Sequence, residues 1–133
     1  MTYNCNIEKH SENMCVVRFP DMTNVTTYGE NFEEAKQMAK EALDAVLETD
    51  IEKGFPIPEP KYKDGIAIEV SPKIAFAIEL RKARGSRTQK EVAKDAGMSY
   101  QQYQRLENPK KTNPTLEMLY RLQKVFKRPF LAL

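Results

Sequence analysis

The chain has 133 residues, of which 41% are hydrophobic and 30% charged, a balance of folded rather than disordered chains. No apolar run approaches the roughly 18 residues of a membrane span, and the opening MTYNCNIEKHSEN lacks the basic start and apolar core of a secretory signal, so a cytoplasmic protein without a membrane partner is expected. The net charge of +2 hides an asymmetry: residues 1–70 hold 7 Lys and Arg against 14 Asp and Glu, net −7, whereas residues 71–133 hold 14 against 5, net +9.

A strongly basic half is the electrostatic footprint of a polyanion binder. A strongly acidic one points to solubility or to a basic protein partner. Two domains are therefore expected, 1–70 and 71–133.

In chain order, Tyr3, Cys5 and Ile7 alternate with Asn4, Asn6 and Glu8, the period of a strand. After a polar HSEN turn, Cys15, Val17 and Phe19 share a face of a second strand. NVTTYG, closed by Gly29, reads as a third. The period then changes. Phe32, Ala35, Ala39, Ala42, Leu43, Val46 and Leu47 follow the three-and-four spacing of an amphipathic helix. Asn31 is placed to cap it, with Glu34 completing a capping box. Gly54 is the expected stop, and PIPEP enforces an extended connection. IAIEV, residues 66–70, reads as a last strand returning to the sheet. The order is β-β-β-α-β, one helix covering one face. Cys5 and Cys15 have no CxxC spacing and read as buried, reduced thiols, with a disulfide between them as the alternative.

The stretch FPDMTNVTTYGENFEEAKQMAKEALDAVLETDIEKGFPIPEP resembles the HicB antitoxin domain. Phe19-Pro20-Asp21, Gly29, Glu33-Glu34-Ala35 and Pro56-Ile57-Pro58-Glu59-Pro60 fall where that family has them. Asn24 and Val25 stand where the family often has Gly-Cys. The resemblance implies a truncated ribonuclease H fold, so a nuclease reading has to be tested. Two-metal phosphodiester chemistry needs several carboxylates converging on two ions. The strand-borne candidates are Glu8 and Glu69, with Asp21 after the second strand; His10 sits in a turn without an evident partner. No metal-spaced cluster, nucleophile–base pair or glycine-rich phosphate loop is present, and fold likeness alone confers no activity. No catalytic residue, metal or cofactor is expected.

In the basic half, Ser71-Pro72 opens a helix as cap and first residue, with Ile74, Ala77, Ile78 and Leu80 inward and RKARG at its end. Thr88 caps the next helix, with Glu91 three residues on; Val92, Ala93 and Ala96 point inward. Gly97 suits a tight turn, and Ser99 with Gln102 caps a third helix whose Tyr103 and Leu106 are core. A fourth begins at Pro114-Thr115, amphipathic through Leu116, Leu119, Tyr120, Leu122, Val125 and Phe126. Two capped helices about a glycine turn are the local pattern of a helix-turn-helix. TQKEVAKDAGMSYQQYQRLEN resembles the Cro/C1-type (XRE) helix-turn-helix family closely. GSRT is one residue longer than the family's usual joint, and Pro109 replaces a common Gly.

Docking of such a motif puts the third helix in the major groove, its N-terminal residues at base edges. The DNA-binding set is then Thr88, Gln89, Ser99, Tyr100, Gln101, Gln104, Arg105, Lys110, Lys111 and Thr112. Gln pairs bidentately with adenine and Arg with guanine. Gln89 suits a phosphate, and Lys110, Lys111 and Thr112 form a basic loop for the next ones. Gln102 reads as a cap. The apolar tail Phe130, Leu131 and Leu133 either completes the core or contacts a second copy.

The two resemblances together imply an α+β antitoxin. Its partners would be a small, basic, messenger-RNA-cleaving HicA-like toxin and operator DNA, bound as a homodimer or higher oligomer. A −7 domain attracts such a toxin as RNA phosphates do. Glu33, Glu41, Asp44 and Glu48, on the outer face of the long helix, are the toxin-binding candidates, an ordinary solvated face being the alternative. A transcription regulator with an N-terminal sensor domain, or a nuclease targeted by the second domain, are the competing functions.

Overall fold

The computed structural model describes residues 1–130. The chain divides into two compact units, Met1–Ser71 and a second beginning at Pro72.

The first unit is α+β. Strands β1 (Thr2–Ser11), β2 (Met14–Phe19) and β3 (Met22–Gly29) form a meander. Helix α1 (Phe32–Lys53) follows, and β4 (Ile66–Glu69) returns antiparallel to β1, giving the order β3-β2-β1-β4. The meander is longer than expected: β1 runs on through Ser11, with a register irregularity between Lys9 and Ser11, and β3 begins at Met22. Asn31 caps α1 by accepting the Glu34 N–H at 2.9 Å; Glu34 reaches back to the N–H of Glu30, one residue ahead of the cap. The helix ends at Gly54, where the Phe55 N–H bonds the Asp50 carbonyl at 2.9 Å.

Ala35, Ala39, Leu43 and Leu47 form the buried stripe of α1; Tyr3, Cys5, Cys15, Val17 and Phe19 are buried sheet residues. Phe32 was expected in that stripe but is 46% exposed at the first position of the helix, one turn ahead of Ala35, its first buried residue. Alanines let α1 approach closely. At Gly29 a Cβ would lie 2.3 Å from the Ala35 backbone nitrogen, so only glycine fits. Cys5 and Cys15 are both free and buried.

Residues 55–65 are not a loose spacer. The Asp21 carboxylate accepts the N–H groups of Lys61 and Tyr62, each at 3.0 Å. Asn4 donates to the carbonyls of Lys63 and Asp64, Tyr62 donates to Asn6, and the Tyr3 hydroxyl donates to the Pro58 carbonyl. These bonds seat the polyproline segment on the sheet that β4 then joins.

The second unit is all-helical: α2 (Pro72–Arg84), α3 (Gln89–Asp95), α4 (Tyr100–Leu106) and α5 (Leu116–Phe126). Leu80, Val92, Ala93, Ala96, Tyr103, Leu106 and Leu122 form its core, with Phe76, Phe126 and Phe130 packed around them. Phe130 meets Phe76 and Phe126 edge-on, with centroids 6.1 and 5.8 Å away, so this part of the tail completes the core. Leu131 and Leu133 lie outside the described residues. Helix α5 starts at Leu116, two residues after Pro114, with Thr115 as its cap rather than inside it. Leu116 and Tyr120, expected on its inner face, are 75% and 54% exposed.

Candidate nucleic-acid interface

Thr88 caps α3 by accepting the Glu91 N–H at 3.1 Å. Gly97, at φ 66°, takes the left-handed conformation that a side chain resists and so sets the turn into α4. Ser99 caps α4 with a complete capping box: it accepts the Gln102 N–H at 3.1 Å, and Gln102 accepts the Ser99 N–H at 2.9 Å. Gln102 is therefore a cap, as its spacing from Ser99 predicted. Tyr103 and Leu106 are buried, which anchors α4 by one face.

The opposite face carries Gln101, Gln104 and Arg105. All three are exposed, and among the described residues their side chains make no hydrogen bond or ion pair. Free polar groups on a helix whose N-terminus is closed by a capping box have the chemistry of base-edge readers. Tyr100 is half-buried beneath Lys90, whose ammonium lies 5.3 Å from the ring centroid. Lys110 and Lys111 are exposed on the loop after α4. Asn108 builds that loop: its side chain accepts the Lys110 N–H, and its carbonyl accepts those of Lys111 and Thr112.

Thr112 does not sit where the sequence put it. It is buried, and its hydroxyl has no partner among the described residues. The loop turns its side chain away from solvent. Gln89 is half-buried and donates to Glu107 at 3.3 Å.

That Glu107 contact belongs to a group the sequence reading missed. Arg84, at the end of α2, holds the buried Glu107 carboxylate in a fork, Nε to Oε2 at 2.7 Å and Nη2 to Oε1 at 3.0 Å. Its Nη1 also donates to the Arg87 carbonyl. The Tyr103 phenol stands beside the pair; burial first, and the Glu107 carboxylate second, push its ionisation far above the ordinary phenol range. One buried ion pair thus ties the end of α2, the start of α3 and the end of α4. Arg121 of α5 similarly donates to the Gly97 carbonyl at 3.0 Å, bracing the turn.

In the first unit the acidic candidates separate. Glu33 is exposed, and among the described residues Glu41 accepts only from Gln37, at 3.3 Å. Glu48 is half-buried. Asp44 is committed internally: it accepts from Lys40 and from the backbone N–H and hydroxyl of Ser71. It closes the unit and is not an open acid on a wet face.

The carboxylates tested for nuclease chemistry do not converge. Glu8 pairs in register with Val16, whereas Glu69 pairs with Thr2, six residues along β1 and about 20 Å away. Asp21 is occupied by the 61–62 backbone. His10 Nε2 lies 3.6 Å from Glu8. Among the described residues no three His, Cys, Asp or Glu side chains are grouped to hold a metal.

Comparison with protein-family models matches residues 2–78 to the HicB-like antitoxins of bacterial toxin–antitoxin systems. The chain belongs to the HicB-like antitoxin family. Residues 78–133 match the helix-turn-helix family, which spans α3, the Gly97 turn and α4. A comparison with curated proteins found no match. The HicB-like match covers the unit built from the sheet and α1, and the helix-turn-helix match takes over within α2. An antitoxin with a DNA-binding domain follows from the two together. No helix among the described residues is long and apolar enough to cross a membrane.

Proposed function

We propose that this chain is the cytoplasmic, non-catalytic antitoxin of a two-protein system. Its acidic domain, 1–70, neutralises a small HicA-like messenger-RNA-cleaving toxin. Its basic domain, 71–133, binds operator DNA and represses the operon that encodes both. The observation that carries the reading is opposite charge on two compact units, −7 and +9, with free Gln101, Gln104 and Arg105 on the basic one.

A toxin that grips RNA must be basic, and an acidic domain competes for the same surface without offering a scissile bond. On the DNA side, Gln101, Gln104 and Arg105 read base edges from the major groove. Thr88, Gln89, Ser99, Lys110 and Lys111 hold the phosphate backbone around them, with Tyr100 packing on the sugars. A single module of this size reads few bases, so the active form is a homodimer or higher oligomer spanning half-sites about 34 Å apart.

The test is reconstitution. The purified chain should bind the DNA upstream of its own gene with salt-dependent affinity, and a co-purifying basic protein should cleave RNA only until this chain is added. DNA binding that responds to a metabolite, with no protein partner, would overturn the antitoxin reading.

A further inference from the structure

The two edges of the sheet differ. β4 is four residues long, and Lys40 caps its Glu69 carbonyl at 2.8 Å. β3 is eight residues long, and among the described residues no strand pairs with its outer side. An unpaired row of backbone N–H and C=O groups templates strand addition, and proteins usually blunt it with Lys, Pro, a bulge or short length. MTNVTTYG contains no charged residue and no proline. The irregularity in its pairing lies at its Met22 end and leaves residues 26–29 in regular register with β2.

Side chains along this edge suit a partner as well. Gly29 lies against Ala35 of α1, so by alternation Tyr28 is on the face away from the helix, level with Val16. Tyr28 is 59% exposed, and Thr23, Asn24 and Thr26 are open to solvent. Glu30, Glu33 and Glu34 follow the strand directly, within a unit of charge −7. A second acidic unit of the same kind would be repelled there; a basic chain would be attracted.

We propose that the outer edge of β3 is the docking strand for the small basic partner, whose own strand extends the sheet as a fifth. This rests on the antitoxin reading and moves the contact from the outer face of α1 to the edge of the sheet. Backbone pairing supplies the grip, Tyr28 the side-chain anchor, and the acidic surroundings the steering.

The test uses the full chain and the basic protein that co-purifies with it, the latter then produced separately. Amide exchange over residues 22–29 should slow at least tenfold when the partner is added. Asn24→Lys, which places a charge on the edge, should weaken binding at least tenfold. Glu52→Gln, with the same change of charge at the far end of α1, should alter it less than threefold. Equal weakening by both variants, or binding without protection of β3, overturns the edge assignment and leaves the antitoxin reading standing. Concentration-dependent protection of β3 in the chain alone assigns the edge to a second copy and overturns the basic partner. Recovery of no basic protein that the chain neutralises overturns both.

Discussion

Replacing Glu107 by alanine tests how the helix-turn-helix is held together. The carboxylate is 7% exposed and takes both the fork of Arg84 and the amide of Gln89. Removing it strands a guanidinium that is itself only about one-fifth exposed. Breaking a buried pair from one side costs about 3–5 kcal/mol, mostly the penalty of the charge left behind. At about 0.05–0.15 kcal/mol per residue, a helical unit of this size has a total stability of the same order. Glu107→Ala should therefore unfold most of the unit at 25 °C or bring it to the edge of unfolding. Arg84→Met combined with Glu107→Leu removes both charges and keeps the volume, so it should cost about 1 kcal/mol or less. The chain has no tryptophan, so urea unfolding is followed by far-ultraviolet circular dichroism. A single-mutant loss below about 1 kcal/mol, the range of a surface pair, would refute the reasoning.

Three further outcomes are expected. Tyr3 is wholly buried and its phenol is pushed up to about 12, by burial first and then by Glu59, Asp21 and Asp50. Because the folded value lies above the unfolded one, its contribution is intact below pH 10 and is lost as pH rises towards 12; Tyr3→Phe should remove a slope of about 1.4 kcal/mol per pH unit in that window, measured by urea titration. Arg105→Ala should cost about 1–3 kcal/mol of operator binding and relax specificity at one base pair, whereas Lys111→Ala should weaken all sequences alike and lower the salt slope by about 1, both read by titration at several salt concentrations. Thr112→Val should leave DNA binding unchanged and stabilise the fold by about 1 kcal/mol or more, since it removes a buried hydroxyl without a partner; loss of affinity without loss of stability would return Thr112 to the phosphate backbone.

Local signals in the sequence carried far. Asn31, Thr88 and Ser99 cap the helices they were expected to cap, because a cap is decided within four residues. The strand and helix periods placed most, not all, of the core of both units for the same reason. What the sequence hid was decided by distant residues. Asp21 meets Lys61 and Tyr62, 40 residues on, and Arg84 meets Glu107 across 23; no local pattern announces such pairs. Thr112 follows two lysines and reads as polar loop, yet the turn built by Asn108 sends it inward. Leu116 and Tyr120 keep the helical period of α5 but lie beyond the reach of the elements that cover Leu119 and Leu122.

The central claim is tested most directly by one RNA-cleavage titration. The basic protein recovered with this chain is given a messenger RNA, and the chain is added in increasing amounts. Cleavage that stops at a fixed stoichiometry, with this chain alone inert towards the RNA, is the predicted result. Cleavage unaffected by the chain, or supplied by the chain itself, would contradict it.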